Sequence, residues 1–201
     1  MKTLNNIAKE PVATLVFAHG AGAGQNSEFM QVVAKGLTNL GINVVRFNFA
    51  YMQLAEELGK RRPPERADKL LAQFNAVLSD VECNLPIFIG GKSMGGRMAS
   101  MLLEESNALG CICMGYPFHP PAKPEKLRTA HLETINKPVL ILQGERDTFG
   151  TRDEIGTYDL SAQIQLSYLA DGDHSFKPRK ASGFALDDHL NLAITQTVEF
   201  I

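Results

Sequence analysis

The sequence predicts an α/β fold with a mainly parallel sheet of about six or seven strands and helices on both faces. Apolar segments of strand length alternate with amphipathic helical segments along nearly all of the 201 residues. Several strand segments are almost continuously apolar, as in residues 11–18, which is typical of parallel strands covered on both faces. The polar or glycine-rich segments that follow these strands lie at the sheet edge where ligands bind. We expect a single domain spanning residues 1–201.

Composition and charge restrict the function classes. With 44% hydrophobic residues, 21% charged residues and a formal net charge of −2, the chain has no bulk attraction for nucleic acid or an anionic membrane. The adjacent basic residues 60–62 are more typical of a solvated loop than of a nucleic-acid patch. No apolar run is long enough to span a membrane, and residues 1–6 lack the apolar core of a secretory signal. We expect a cytoplasmic protein whose partner is a small molecule.

Three cysteines, Cys83, Cys111 and Cys113, make an odd number, which argues against a disulfide framework. Cys111 and Cys113 share one face of a predicted strand, where they could bind metal, form a strained bridge or pack as reduced thiols. The sequence favours two reduced core residues.

The first half of the chain reads as strand, helix, strand, loop and helix. The strand at residues 11–20 runs into a glycine-rich loop, and apolar residues at helical spacing then predict a helix over 27–40. Residues 42–49 are predicted to form another buried strand. We predict a loop over 50–64, with one helical turn at 54–58. An amphipathic helix follows, with these apolar residues on one face: Ala67, Leu70, Leu71, Phe74, Leu78 and Val81.

Residues 85–100 have the sequence form of a nucleophile elbow. An apolar strand leads into the Gly-x-Ser-x-Gly motif Gly91–Gly95, and an Ala/Met/Leu-rich helix follows at once. The glycines allow the close approach of strand and helix, and the turn exposes Ser93 above the sheet. Gly90–Ser93 also ends like a phosphate-binding loop, but Pro86 stands where that motif needs its first glycine. Residues 87–90 look like a strand, so the elbow is favoured over a nucleotide site and Lys92 has no assigned role.

The second half supplies the partners that a nucleophilic serine needs, a general base and a group to orient it. Strands are predicted at 110–115, 139–142 and 164–169, and a helix ends the chain with an apolar residue at every fourth position: Leu186, Leu190, Ile194 and Val198. Asp147 follows the second of these strands and His174 follows the third. The order Ser, Asp, His is that of α/β-hydrolases.

Other residues compete for these roles. Asp153 or Asp171 could replace Asp147, and three other histidines compete with His174: His119, His131 and His189. His189 lies in the final helix and is interpreted as structural. We expect His19 to pack beneath the glycine loop and Asp173 to serve in a turn.

Four stretches carry a family resemblance: residues 19–23, 90–97, 143–147 and 172–176. They resemble the small α/β-hydrolase-like family related to mammalian testis-expressed protein 30 and to the hydrolase-like part of a chromatin-complex subunit, and more distantly the dienelactone hydrolases. The resemblance covers residue 12 to the last helix. It implies an α/β-hydrolase fold with the following site: Ser93 as nucleophile, His174 as general base and then acid, Asp147 as the orienting acid, and the backbone N–H groups of Ala21 and Met94 as the oxyanion hole.

The short chain leaves almost no room for a cap domain, and any antiparallel strands that start the fold are confined to residues 1–7. We therefore expect an open site whose mouth is lined by five residues, for which packing roles stay an equal alternative: Met52, Tyr116, Phe118, His119 and Phe176. The resemblance implies a serine hydrolase of carboxylic ester, thioester or related acyl bonds. We expect no metal or organic cofactor, since serine, histidine and aspartate suffice for the chemistry. A non-catalytic scaffold that binds a protein or small ligand is the alternative.

Overall fold

The computed structural model describes residues 2–82 and 84–201, and its seven-stranded sheet is parallel apart from one edge strand. The strands are β1 (Thr3–Asn6), β2 (Ala13–Ala18), β3 (Ile42–Phe47), β4 (Ile87–Lys92), β5 (Cys111–Met114), β6 (Val139–Gly144) and β7 (Ile164–Leu169). Their order across the sheet is β1-β3-β2-β4-β5-β6-β7. Of these strands only β1 runs antiparallel, against β3. The predicted α/β fold with a mainly parallel sheet is confirmed.

Helices cover both faces of the sheet, as predicted. They are α1 (Glu28–Asn39), α2 (Ala50–Leu58), α3 (Ala67–Ser79), α4 (Met94–Leu102), α5 (Arg152–Ile155) and α6 (Leu186–Phe200). Alternate β2 side chains enter two apolar clusters because successive strand residues point to opposite faces. Leu15 and Phe17 pack with residues of α1 and α6, whereas Val16 and Ala18 pack with residues of α3 and α4.

Helix α2 corrects the prediction of a loop with one helical turn at residues 54–58. The helix begins at Ala50, and Tyr51, Leu54 and Leu58 recur at helical spacing, but with nine residues it is shorter than the periodic segments that identify a helix reliably. The basic and proline-rich residues 60–64 that follow it are typical of a loop. Gly59 ends the helix in the left-handed conformation, with φ of 62°. The buried Tyr51 side chain reaches the glycine loop, so this helix supports the site.

The remaining expectations concern the chain start, the cysteines and the basic segment. Met1 and Cys83 lie outside the described residues, whereas Thr3–Asn6 forms the antiparallel edge strand. Cys111 and Cys113 are buried free thiols with their sulfurs 3.7 Å apart. Residues 60–62 are exposed. Across residues 2–82 and 84–201, no helix has the length and apolar character needed to cross a membrane.

Protonation of His131 is expected to destabilise the fold in mild acid. Its Nε2 lies 2.9 Å from Ser100 Oγ, and burial, followed by the charge of Arg97, lowers the pKa of His131 from 6.5 to about 4. Between these values the unfolded chain binds more protons than the folded one, so stability falls as pH decreases. When the pH is lowered from 7 to 5, this histidine is expected to reduce the free energy of unfolding by about 2 kcal/mol.

Urea unfolding of the wild type and of His131→Gln at both pH values measures this contribution. The variant should lose about 2 kcal/mol less than the wild type over the same interval. Equal losses in the two proteins would contradict the assignment.

Candidate active site

Ser93 lies at a tight turn between β4 and α4. Its backbone has φ of 51° and ψ of −116°, a conformation that costs free energy for a residue with a side chain and that characterises a nucleophile elbow. A Cβ added to Gly91 would lie 2.5 Å from Ala18 O, and one added to Gly95 would lie 2.6 Å from His19 O. Both ends of the motif therefore require glycine. Because β4 extends through residues 87–92, the structure has a strand where a phosphate-binding loop would be needed.

The structure brings the three residues chosen for nucleophile, base and acid into one hydrogen-bonded chain. Ser93 Oγ lies 2.9 Å from His174 Nε2, and His174 Nδ1 lies 2.7 Å from Asp147 Oδ2. Ser93, Asp147 and His174 follow β4, β6 and β7, respectively. Because parallel strands end at the same edge of a sheet, residues far apart in sequence meet there.

Asp147 is fully buried and surrounded by donors. Gln143 Nε2 donates to Oδ2 at 2.9 Å, and the Phe149 backbone N–H donates to Oδ1 at 2.8 Å. With both oxygens acting as acceptors, the bond to His174 takes its hydrogen from Nδ1. Nε2 then carries the lone pair that faces Ser93 Oγ. Gln143, whose role sequence reasoning missed, is the buried amide that helps to orient this carboxylate.

The alternative acids lie elsewhere. Asp171 forms ion pairs with Arg146, at 2.9 Å, and with Arg179. Asp153 is an exposed residue of α5. Asp173 accepts backbone N–H groups from the turn that follows it, as the sequence predicts.

His174 is held from two sides. The Phe149 ring lies 4.3 Å from the imidazole, centroid to centroid, and Lys92 Nζ donates to the His174 carbonyl oxygen at 2.6 Å. The Lys92 ammonium also lies 5.6 Å from the ring centroid of Phe29 and 5.9 Å from that of Phe176. Burial lowers the pKa of Lys92 to about 8, although nearby carboxylates oppose the shift. Lys92 therefore links the elbow to the histidine loop.

The other histidines have structural partners. His119 Nε2 lies 3.6 Å from Glu154 Oε2, and His189 Nδ1 lies 2.7 Å from the carbonyl of Phe176. His131 contacts Ser100, as described above. These contacts separate His119, His131 and His189 from the hydrogen-bonded chain at Ser93.

The glycine loop after β2 is fixed by buried polar contacts. His19 is fully buried, with Nδ1 2.6 Å from Gly20 O, while Nε2 accepts from the Phe49 backbone N–H at 3.1 Å. Tyr51 Oη donates to Ala21 O at 3.1 Å, and burial raises the pKa of Tyr51, which keeps its hydroxyl protonated. His19 therefore packs under the loop as predicted.

Two residues are expected to supply the backbone N–H groups of the oxyanion hole, Ala21 and Met94. Met94 is the first residue of α4, where backbone N–H groups have no acceptor within the helix. Ala21 lines both of the clefts that open beside Ser93.

Two clefts meet at Ser93 and share Ala21 and Phe149. The first, here called the glycine-loop cleft, has a volume of about 360 Å³, and its lining includes these residues: Gly20, Gly22, Ala23, Phe29, Met30, Lys92, His174 and Ser175. The second, here called the arginine cleft, has a volume of about 320 Å³, and its lining includes these: Pro64, Glu65, Ala67, Leu70, Met94, Arg97, Met98, Pro117 and Arg128. A molecule whose carbonyl group lay at Ser93 could extend into both clefts, one part on each side of the carbonyl.

The five residues expected at the mouth line neither cleft, which corrects that prediction. They are all buried: Met52, Tyr116, Phe118, His119 and Phe176. The chain after β5 turns inward, because Tyr116 Oη donates to Arg128 O at 2.8 Å and the Phe118 ring packs 4.8 Å from that of Tyr116. Phe176 instead packs against Phe29, with centroids 5.6 Å apart.

Comparisons with known proteins agree with the observed fold. The family model described as an alpha/beta hydrolase domain matches residues 11–201. The fold is similar to that of an alpha-beta serine hydrolase homologue from Coxiella burnetii, with a TM-score of 0.76, 19% identity, and coverage of 96% of this chain and 90% of the other.

Two further solved structures share the fold. A serine hydrolase without a lid from Xanthomonas campestris has a TM-score of 0.75 at 19% identity, with 98% of this chain and 87% of that one covered. A dienelactone hydrolase from Anabaena variabilis has a TM-score of 0.73 at 19% identity, with 99% and 91% covered. The match over residues 11–201 and the observed sheet assign the chain to the family of alpha/beta hydrolase domains.

Proposed function

We propose that this protein is a serine hydrolase that cleaves carboxylic ester, thioester or related acyl bonds through an acyl-enzyme. The observation that carries the proposal is the hydrogen-bonded chain from Ser93 Oγ through His174 to buried Asp147, placed where two clefts meet. Serine, histidine and aspartate suffice for this chemistry, so the reaction needs no metal or organic cofactor.

Acylation begins when Ser93 Oγ attacks the substrate carbonyl carbon while His174 Nε2 accepts the hydroxyl proton. The carbonyl electron pair moves onto oxygen, where the backbone N–H groups of Ala21 and Met94 stabilise the charge. When that pair returns, the bond to the leaving oxygen or sulfur breaks, and His174 donates its proton to the leaving group. Asp147 stabilises the transient imidazolium throughout.

Deacylation repeats these steps with water as the nucleophile. His174 accepts a proton from water as its oxygen attacks the acyl carbon, and the collapse of the second tetrahedral intermediate breaks the bond to Ser93 Oγ. His174 returns the proton to the serine, and the carboxylic acid leaves.

The alternative is a scaffold that binds a ligand without catalysis. A strained backbone such as that of Ser93 costs on the order of 1–3 kcal/mol. A non-catalytic protein gains nothing from that cost or from a fully oriented histidine, so the geometry favours the enzyme. As part of this proposal, the motif resemblance refines the family assignment to the relatives of testis-expressed protein 30. We also propose that the protein is cytoplasmic.

A screen over 4-nitrophenyl esters and acyl thioesters of increasing chain length tests the function. We expect turnover of at least one of these compounds, with a burst of nitrophenol where deacylation is slow. Absence of turnover across both series, from protein shown to be folded by circular dichroism, would contradict it.

Replacing Lys92 with methionine is expected to lower kcat about tenfold and to change KM less. Methionine has a similar length but cannot donate to the His174 carbonyl, and a hydrogen bond from a charged donor contributes about 1.5–3 kcal/mol. Because the pKa of Lys92 is about 8, the advantage of the wild type should shrink as pH rises through that value. Ester hydrolysis by both proteins from pH 6.5 to 9.5 measures the ratio; a pH-independent ratio would indicate packing alone.

A further inference from the structure

Two arginines line the arginine cleft without an acidic partner. Arg97 lies one helical turn after Ser93, and Arg128 lies in the loop between β5 and β6. Arg97 Nε is buried and finds no hydrogen-bond partner among the described residues. Within residues 2–82 and 84–201, neither guanidinium takes part in an ion pair.

This arrangement of the two arginines costs free energy. Burial, followed by the nearby positive charge of Arg97, lowers the pKa of Arg128. A buried donor without an acceptor costs further free energy. Glu65 is the acidic residue of the cleft lining, and its Oε2 accepts from Gln73 Nε2 at 2.6 Å. The charged side chains of the cleft are thus two cations and one anion, which leaves it positive.

We propose that the arginine cleft binds a carboxylate of the substrate, so that the enzyme acts on acyl compounds that carry a negative charge away from the scissile bond. This inference rests on the proposed function and specifies its substrate class. Arginine suits the task because its planar donors match the two oxygens of a carboxylate.

The rest of the lining fits such a substrate. Leu70, Met94 and Met98 provide apolar contacts for the short chain between the reacting carbonyl and the carboxylate. The glycine-loop cleft, with the rings of Phe29 and Phe149, would hold the uncharged half on the other side of Ser93.

Two pairs of esters test whether a negatively charged substrate is preferred and on which side of the scissile bond the charge lies. Mono-4-nitrophenyl adipate and its methyl ester differ by a charge on the acyl side, whereas 4-acetoxybenzoate and its methyl ester differ by a charge on the leaving group. In one of the pairs we expect kcat/KM to be about tenfold or more higher for the charged member. Arg128→Gln should abolish this preference, so that the charged and uncharged members of the pair are hydrolysed with similar kcat/KM.

Two further variants separate a specific site from general charge. Lys126→Gln removes one positive charge from an exposed position in the same loop and should leave the preference intact. Arg128→Lys keeps the charge but loses the planar fork, so it should retain part of the preference. Hydrolysis without charge preference in either pair, or a preference that survives Arg128→Gln, would overturn this inference while leaving the proposed function standing.

Binding to Ser93→Ala provides a readout that does not depend on turnover. Calorimetric titration with monomethyl adipate and 4-acetoxybenzoate should show binding of at least one compound, weakened about tenfold or more by adding Arg128→Gln. Failure of both to bind, or equal binding of their uncharged methyl esters, would overturn the carboxylate site even if no ester is turned over.

Discussion

Replacing Ser93 with alanine is expected to lower ester hydrolysis by a factor of about ten thousand or more. The substitution removes the atom that forms the acyl-enzyme, and the remaining oxyanion donors and clefts can only assist direct attack by water. The measurement is kcat/KM for the best substrate of the screen. Variant and wild type are purified on separate columns, so that traces of wild type do not contaminate the variant.

Ser100→Ala is the matched control for this variant. Ser100 lies in α4, the helix that follows Ser93, and its Oγ contacts Arg97 O and His131 rather than either cleft. It should retain most of the activity. Turnover by Ser93→Ala near the wild-type rate would remove Ser93 from the mechanism.

Replacing Asp147 with asparagine is expected to lower kcat by about a thousandfold to ten-thousandfold. Asparagine has one acceptor oxygen for the three donors that now surround the carboxylate, from Gln143, Phe149 and His174. An amide N–H at the former Oδ2 would oppose Nδ1–H and favour the histidine tautomer whose Nε2 carries the hydrogen. That tautomer cannot accept the proton of Ser93.

Asp153→Asn controls for the loss of an acidic side chain in the segment that follows β6 and tests the alternative acid at the same time. Asp153 is exposed in α5, so this variant should stay within about threefold of the wild type. A large loss in Asp153→Asn together with normal activity in Asp147→Asn would reverse the two assignments.

The fold could be predicted because its signals are local. The buried strands are continuously apolar, and Leu186, Leu190, Ile194 and Val198 repeat along one helix. The meeting of Ser93, Asp147 and His174 could also be predicted, because the elbow motif and the order of the later strand ends determine which residues lie at the same sheet edge. Helix α2 was missed although Tyr51, Leu54 and Leu58 recur at helical spacing, because the segment is short and leads into the basic and proline-rich residues 60–64.

The surroundings of the site depend on the path of the chain in three dimensions. Tyr116 and Phe118 follow a strand end, as site residues do, yet the loop turns them into the core. Phe149 reaches His174 because the turn after Asp147 folds back over the imidazole. The one sequence signal for Lys92 was its position next to Ser93. Its hydrogen bond goes to the carbonyl of His174, 82 positions away, which the sequence does not reveal.

The central claim, an activated nucleophile at Ser93, is tested most directly by labelling with a fluorophosphonate. This probe phosphonylates a serine that a neighbouring base activates, and it requires no knowledge of the substrate. We predict stoichiometric labelling of the wild type at Ser93, located by peptide mass spectrometry, and complete loss of labelling in Ser93→Ala. A folded wild-type protein that stays unlabelled, or labelling that persists in Ser93→Ala, would contradict the claim.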